Sequence, residues 1–302
     1  MENHLSFLAL GDVFLKTKEK QDPFENVKEL MKKHDYIFCN LETVLISKGK
    51  KTEKAYNLNI SPKAVKKLTD NGIRIVNLAN NHSFDLGEEG LKSTLDILTK
   101  NKINYIGIGK RANPQKTLMI DYNNIKIAFL GYANEGYKSE RFSIHHINLK
   151  KIVNHIRRLR KNVDYIIVSL HWGIELTFYP SPEQIEMAHE IIRAGANVIM
   201  GHHPHVIQGI EEYANGLIIY SLGNFQFLFE PVYLKYHPDI AFCVSMLFFK
   251  DYFQFDIHPI QINPNFVPNL LRDHKKKEVL DYISKSSKPI QNNEINWNVW
   301  YE

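Results

Sequence analysis

The side chains best suited to chemistry in this 302-residue chain are the imidazoles of Gly201-His202-His203-Pro204-His205. They follow Asn197-Val198-Ile199-Met200, an apolar run that reads as the end of a buried strand, which glycine and proline then stop. Histidines two apart on an extended segment point to opposite faces, but a loop held by Pro204 can turn His203 and His205 towards a common point. Neutral imidazole is the commonest transition-metal ligand in proteins, so this spacing offers metal coordination. The alternative is a trio of solvated loop histidines.

The same pattern recurs along the chain. Leu5 to Leu10 ends in Gly11-Asp12, and Tyr36-Ile37-Phe38-Cys39 runs into Asn40-Leu41-Glu42. Ile73 to Leu78 delivers Ala79-Asn80-Asn81-His82-Ser83-Phe84-Asp85, and Tyr165 to Leu170 delivers His171-Trp172-Gly173. Strand tips bearing Asp12, Asn40/Glu42, Asn81/His82, His171 and His203/His205 have the composition of a two-metal site with mixed oxygen and nitrogen ligands. A lone buried carboxylate is costly unless paired or coordinated, so shared cations explain the recurrence better than separate accidents.

The elements that must position these tips alternate strand with helix. Helical spacing or capping marks Pro23 to Lys33, the segment after Ser61-Pro62, Gly87 to Lys100 with Leu91, Leu95 and Leu98, Leu149 to Arg160, Ser181-Pro182 to Gly195, and a Lys-rich stretch from His274 to Lys285. Asn123-Asn124 and Ala214-Asn215-Gly216 read as hairpin turns. Apolar and aromatic residues alternate from Ile240 to Phe249 and from Tyr252 to Ile260, predicting antiparallel strands. Thr52 to Ile60 is polar and shows no clear pattern. The class is α/β with a mixed sheet or two sheets, and no linker divides residues 1–302.

Composition narrows the function. A 44% hydrophobic and 24% charged chain is that of a soluble globular protein, and no 18-residue apolar run offers a membrane span. The opening Met1-Glu2-Asn3-His4-Leu5 lacks the basic region and apolar core of a signal peptide, so a cytoplasmic location is expected. A net charge of +5 without a basic block suits an anionic substrate and falls short of a nucleic-acid signature. Cys39 and Cys243 lie in apolar runs, which predicts buried thiols.

Taken together, Gly11-Asp12, Asn40-Leu41-Glu42, the run from Ala79 to Gly87, His171-Trp172-Gly173, the run from Gly201 to Gly209, and Tyr220-Ser221-Leu222-Gly223-Asn224-Phe225 resemble the CapA (capsule and poly-γ-glutamate synthesis) family. That family is similar to the calcineurin-like metallophosphoesterases. The resemblance runs over roughly residues 5 to 228 and implies a four-layer αββα sandwich, helices outside two mixed β-sheets, with 229–302 as divergent strands, helix and tail. It also implies two divalent ions (Mn, Fe or Zn), with Glu42 bridging, Asp12 and His205 on the first, and Asn81, His171 and His203 on the second. His82 would be the acid meeting the leaving group, oriented by Asp85. Related phosphoesterases commonly begin Asp-x-His, but Asp12 is followed by Val13-Phe14, so a weaker first site is expected, with Asn40 filling the gap through its side-chain oxygen.

His202, Trp172 and Asn224 are the expected substrate contacts, with core or rim packing the alternative for Trp172 as for Phe225 and Phe227. His145-His146 read as solvated, and His189 as a surface partner of Glu186. The leading function is a metal-dependent hydrolase of phosphoester type, acting on an anionic small molecule or polymer in capsule or cell-surface biosynthesis. The alternatives are a non-catalytic partner of the capsule-synthesis machinery, and a γ-glutamyl or amide hydrolase or transferase using the same site.

Overall fold

The strand Leu5–Val13 is buried at every position, which requires protein on both faces of its sheet. Its side chains divide by the two-residue period of a strand: Phe7 and Ala9 join one apolar cluster, Leu8 and Leu10 another. The strand Tyr165–His171 divides likewise, with Tyr165 and Ile167 in the cluster of Phe7 and Ile166, Val168 and Leu170 in a third. The cluster holding Phe7 therefore lies between two sheets. Each outer cluster is roofed by helices: Leu91, Leu95 and Leu98 from Gly87–Lys100 on one side, Ile152 and Ile156 from Leu149–Leu159 and Ala188 and Ile191 from Pro182–Arg193 on the other. This is the four-layer αββα sandwich.

The computed structural model describes residues 3–17, 21–110, 117–135, 137, 139–227, 231–292 and 294–295. Among these, the eight-stranded sheet runs Pro268–Leu270, Phe253–Ile262, Ile240–Phe248, Leu5–Val13, Tyr36–Leu41, Ile73–Asn77, Asn104–Ile106, and Asn224–Gln226 also pairs with Leu5–Val13. The six-stranded sheet runs Ile210–Tyr213, Gly216–Ile219, Val198–His202, Tyr165–His171, Ile125–Ala133, Leu118–Tyr122. In the six-stranded sheet the inner pairings are parallel and the two edge pairings antiparallel, whereas in the eight-stranded sheet Leu5–Val13, Tyr36–Leu41, Ile73–Asn77 and Asn104–Ile106 run parallel and the strands from Ile240 onward continue the sheet antiparallel. Parallel neighbours bring their carboxyl ends to one edge, and the register sets Asp12 beside both Asn40 and Asn224, and His171 beside His202.

Local signals behave as their chemistry requires. Asn123 and Asn124 both take positive φ (51° and 67°), Ser61 caps its helical turn, and Ser181 forms a capping box with Gln184. The Lys-rich helix is longer than its pattern, Asp273–Gln291, because Ile283 and Ile290 continue its buried stripe. The expected Pro23–Lys33 helix shrinks to a 3₁₀ turn, Glu25–Val27, and a short helix, Lys28–Met31. Gly201 is fixed by close approach, since a Cβ there would meet the Tyr220 carbonyl oxygen at 1.9 Å. The unpatterned Thr52–Ile60 segment is held from outside: Thr52 N donates to the Asp85 carbonyl (3.0 Å) and Leu58 N to Asp85 Oδ2 (2.6 Å).

Two histidine expectations are corrected. His145 is buried, its Nδ1 donating to the Gly131 carbonyl (3.2 Å), because the connection carrying it packs across the sheet edge. His189 meets both oxygens of Glu211 at 2.9 Å rather than Glu186, since the helix Pro182–Arg193 lies over that strand.

Candidate metal centre and catalytic site

Asp12, in the strand Leu5–Val13, and Glu42, one residue past the parallel strand Tyr36–Leu41, are both fully buried, with Asn40 hydrogen-bonded to each. The orientation of the Asn40 amide follows from its neighbours. Asn77 is fixed by exchanging hydrogen bonds with the main chain of Ala79, and Asn80 by donating to the Leu41 carbonyl and accepting from His82 N. Both therefore present Nδ2 to Asn40, at 3.1 and 3.2 Å, and the Asn40 oxygen must face them. Its Nδ2 is left to donate to Asp12 Oδ1 (2.9 Å) and Glu42 Oε1 (3.1 Å). The expectation that Asn40 offers an oxygen to a metal is thus corrected: it is a donor that holds the two carboxylates in place.

The histidine loop turns as its sequence demands. His203 and His205 adopt positive φ (96° and 59°), an uncommon conformation for residues with a Cβ, on either side of Pro204. Their rings lie 5.9 Å apart, and the His203 ring is 4.6 Å from that of His171. His205 Nδ1 is 2.8 Å from Asn224 Oδ1 and 3.3 Å from Asp12 Oδ2, while Nε2 is 3.8 Å from Glu42 Oε2. Because Asn224 Nδ2 donates to the Pro238 carbonyl (3.0 Å), its oxygen faces His205, so Nδ1 holds a proton and Nε2 is the nitrogen left to serve a cation. His171 Nδ1 is 3.3 Å from Glu42 Oε1, and its Nε2 is 3.1 Å from Asn81 Oδ1.

None of the three expected substrate contacts faces open space. His202 is fully buried behind Asp12, Nδ1 to Oδ1 at 3.1 Å, because it is still in its strand and points inward. Trp172 is 1% exposed, stacks on Tyr220 with centroids 6.1 Å apart, and donates to its carbonyl, so packing is its role. Asn224 is buried and spends both ends of its amide on His205 and Pro238.

Charge explains why these groups need something more than each other. Burial would raise the Asp12 carboxyl, but hydrogen bonds from His202 and His205 and their charge hold it well below the ordinary range. Burial, with Asp12 beside it, pushes Glu42 well above. Burial opposes charge on His205, yet Glu42 and Asp12 hold it up at about 9. Burial and neighbouring imidazoles push His203 down to about 3 and His171 well below its usual value. Glu42 Oε2 and His203 Nδ1 are buried without a hydrogen-bond partner, a cost that proteins seldom leave standing.

This donor set fits divalent cations. Asp12, Glu42 and His171 form one group, and Glu175, His203 and His205 another, each with its ligand atoms within 4.8 Å of one another. The expected pairs also lie together, His205 Nδ1 being 3.3 Å from Asp12 Oδ2 and the His203 ring 4.6 Å from that of His171. Glu175 was missed in the sequence: it is exposed on the loop after His171-Trp172-Gly173, and its spacing from that tip was the available signal.

Beside the cluster, His82 Nδ1 is 2.6 Å from Asp85 Oδ2. Asp85 is fully buried and also receives Leu58 N on Oδ2 and Lys54 Nζ on Oδ1 (3.1 Å). Lys54, in the unpatterned segment, gave no sequence signal. A cavity of about 470 Å³ adjoins the cluster, with Asn81, His82, Glu175 and His205 in its wall and Phe14 at the place of the missing histidine.

Two β-sheets face to face between helices, with acidic and imidazole groups at the strand tips, define a calcineurin-like phosphoesterase fold. Solved structures agree at the level of fold: a phosphatase from Mycoplasma pneumoniae aligns with a TM-score of 0.57 at 15% identity, covering 92% of this chain and 98% of that one. A 5′-nucleotidase from Candida albicans aligns at 0.52 and 12%, covering 96% and 59%. Residues 6–228 match the family described as bacterial capsule synthesis protein PGA_cap, and the chain belongs to that family. It is 33% identical over 218 residues to the capsule biosynthesis protein CapA of Bacillus anthracis, covering 68% of this chain and 53% of that relative, so it spans about half of that protein's length. It is 30% identical to the PGA biosynthesis protein CapA of Bacillus subtilis, covering 94% and 78%. No helix among the described residues is long and apolar enough to cross a membrane.

Proposed function

We propose that this protein is a metal-dependent hydrolase of phosphoester type, serving capsule or cell-surface polymer biosynthesis. The observation that carries the reading is the buried Asp12–Glu42 pair, with Glu42 Oε2 lacking a hydrogen-bond partner and with His171 and His203 at the same cluster driven towards neutrality. Asp12, Glu42, His171, His203, His205 and Glu175 would hold the ions, with Asn81 beside His171. Divalent cations there supply Lewis acidity, lowering the pKa of water and neutralising a phosphoryl oxygen.

The chain's own residues do the rest. Asn40 keeps both carboxylates in register, and Asn224 fixes His205 with Nε2 available. Asp85 accepts from His82 Nδ1, which leaves Nε2 as the atom that hands a proton to a departing oxygen. Lys54 and the Leu58 amide hold Asp85 for that task.

A second reading, a non-catalytic capsule-assembly partner, rests on Phe14, whose ring lies 5.7 Å from Phe227 where an imidazole ligand would serve the first ion. Titrating manganese into chelator-stripped protein while following p-nitrophenyl phosphate hydrolysis tests both. The hydrolase reading expects two unequal binding events, with turnover rising as the weaker saturates. Full occupancy without turnover of phosphomonoester, diester or γ-glutamyl substrates would leave the assembly reading.

A further inference from the structure

Resting on the hydrolase reading, we infer that the substrate is a phosphate monoester of a flat, largely apolar alcohol of about nucleoside size, and not a stretch of polyanionic polymer. The cavity beside the cluster carries an aromatic wall of Phe14, Tyr56, Phe227, Tyr233 and Phe266. That wall begins at the metal cluster itself, because the Phe227 ring stacks on His205 at 5.0 Å and 26°, and Phe14 continues it at 5.7 Å. Phe14 thus removes an imidazole from the site and adds a ring face to it.

The charges point the same way. Among the described residues lining the cavity, the cationic side chains besides the cluster histidines are Lys16 and Lys54, and Glu135 lies on the same wall. Lys54 is engaged by Asp85 at 3.1 Å, and Lys16 sits over the Phe266 ring at 5.2 Å. A repeating carboxylate polymer needs a cation or donor at each repeat, and this wall offers ring faces instead. One dianionic group neutralised at the cluster, followed by a planar group against aromatic side chains, is what the lining accommodates. The volume of about 470 Å³ lies within the span of small-molecule pockets. In the reaction, water oxygen adds to phosphorus, the ester P–O bond breaks, and His82 gives its proton to the departing alcohol oxygen, releasing phosphate and the ring-bearing alcohol.

The test compares benzyl phosphate with propyl phosphate, whose leaving alcohols are alike in acidity, on the full chain loaded with manganese. Calorimetric binding of benzylphosphonate and propylphosphonate is measured in parallel, since these are not hydrolysed. Benzyl compounds should be favoured by about tenfold or more in both kcat/KM and affinity, and Phe14→Leu or Phe227→Leu should bring both ratios towards unity. Turnover without ring preference, or binding of a γ-glutamyl oligopeptide more tightly than benzylphosphonate, overturns the inference while the hydrolase reading stands. Ring-selective phosphonate binding without turnover of any ester supports the inference about the cavity and sinks the hydrolase reading.

Discussion

Replacing Asn224 by leucine separates a residue that positions a ligand from one that touches substrate. The change keeps approximate volume and deletes two buried hydrogen bonds, to His205 Nδ1 (2.8 Å) and to the Pro238 carbonyl (3.0 Å). An orphaned buried polar group costs about 1–3 kcal/mol, and the Pro238 carbonyl loses its Asn224 donor outright. His205 Nδ1 retains Asp12 Oδ2 at 3.3 Å, so its loss is partial. Deleting the partner of a ligating imidazole typically weakens metal binding about 10–100-fold; with Asp12 still in reach the lower end, roughly tenfold or 1.4 kcal/mol, is expected. Calorimetric manganese titration of stripped wild-type and Asn224→Leu proteins reads the first quantity, and urea unfolding of the metal-free forms reads the second. The KM for p-nitrophenyl phosphate at saturating manganese should stay within about twofold, because Asn224 is fully buried. Unchanged metal affinity with a raised KM at saturation would refute the positioning argument and restore Asn224 as a substrate contact.

His203→Ala should lose metal, since it removes an imidazole from the Glu175–His203–His205 group; His82→Ala should retain metal and lose about 10²–10⁴-fold in rate on esters with poor leaving groups. Metal analysis beside a leaving-group series checks both, and equal metal loss would show His82 to be a ligand. His145 gives a pH prediction: burial pushes it down to about 4 from its ordinary 6.5, so between those values the unfolded chain binds a proton that the folded chain refuses. Stability should therefore fall as pH drops through that window, by at most about 3 kcal/mol. Urea midpoints at pH 7 and 4.5 should show a smaller drop for His145→Gln than for wild type; identical drops would contradict it.

The strand tips were legible because their signal is local: an apolar run stopped by glycine or a polar cluster names both the strand and the residue it presents, as at Gly11-Asp12 and Met200 to His205. Turns and caps were legible for the same reason, Asn123-Asn124 and Ser181 needing only their own backbone. The direction in which a side chain spends its polar atoms was not local. Asn40 became a donor because Asn77 and Asn80, 37 and 40 residues away, turn their amides upon it. His202 met Asp12 across 190 residues, Lys54 met Asp85 across 31, and Trp172 found Tyr220 across 48, all contacts set by the layering of two sheets. Residue type and spacing determined which chemistry the edge of this protein could hold. Only the packed structure decided which lone pairs and protons face the cluster, because that orientation is dictated by buried hydrogen-bond partners that lie far away along the chain.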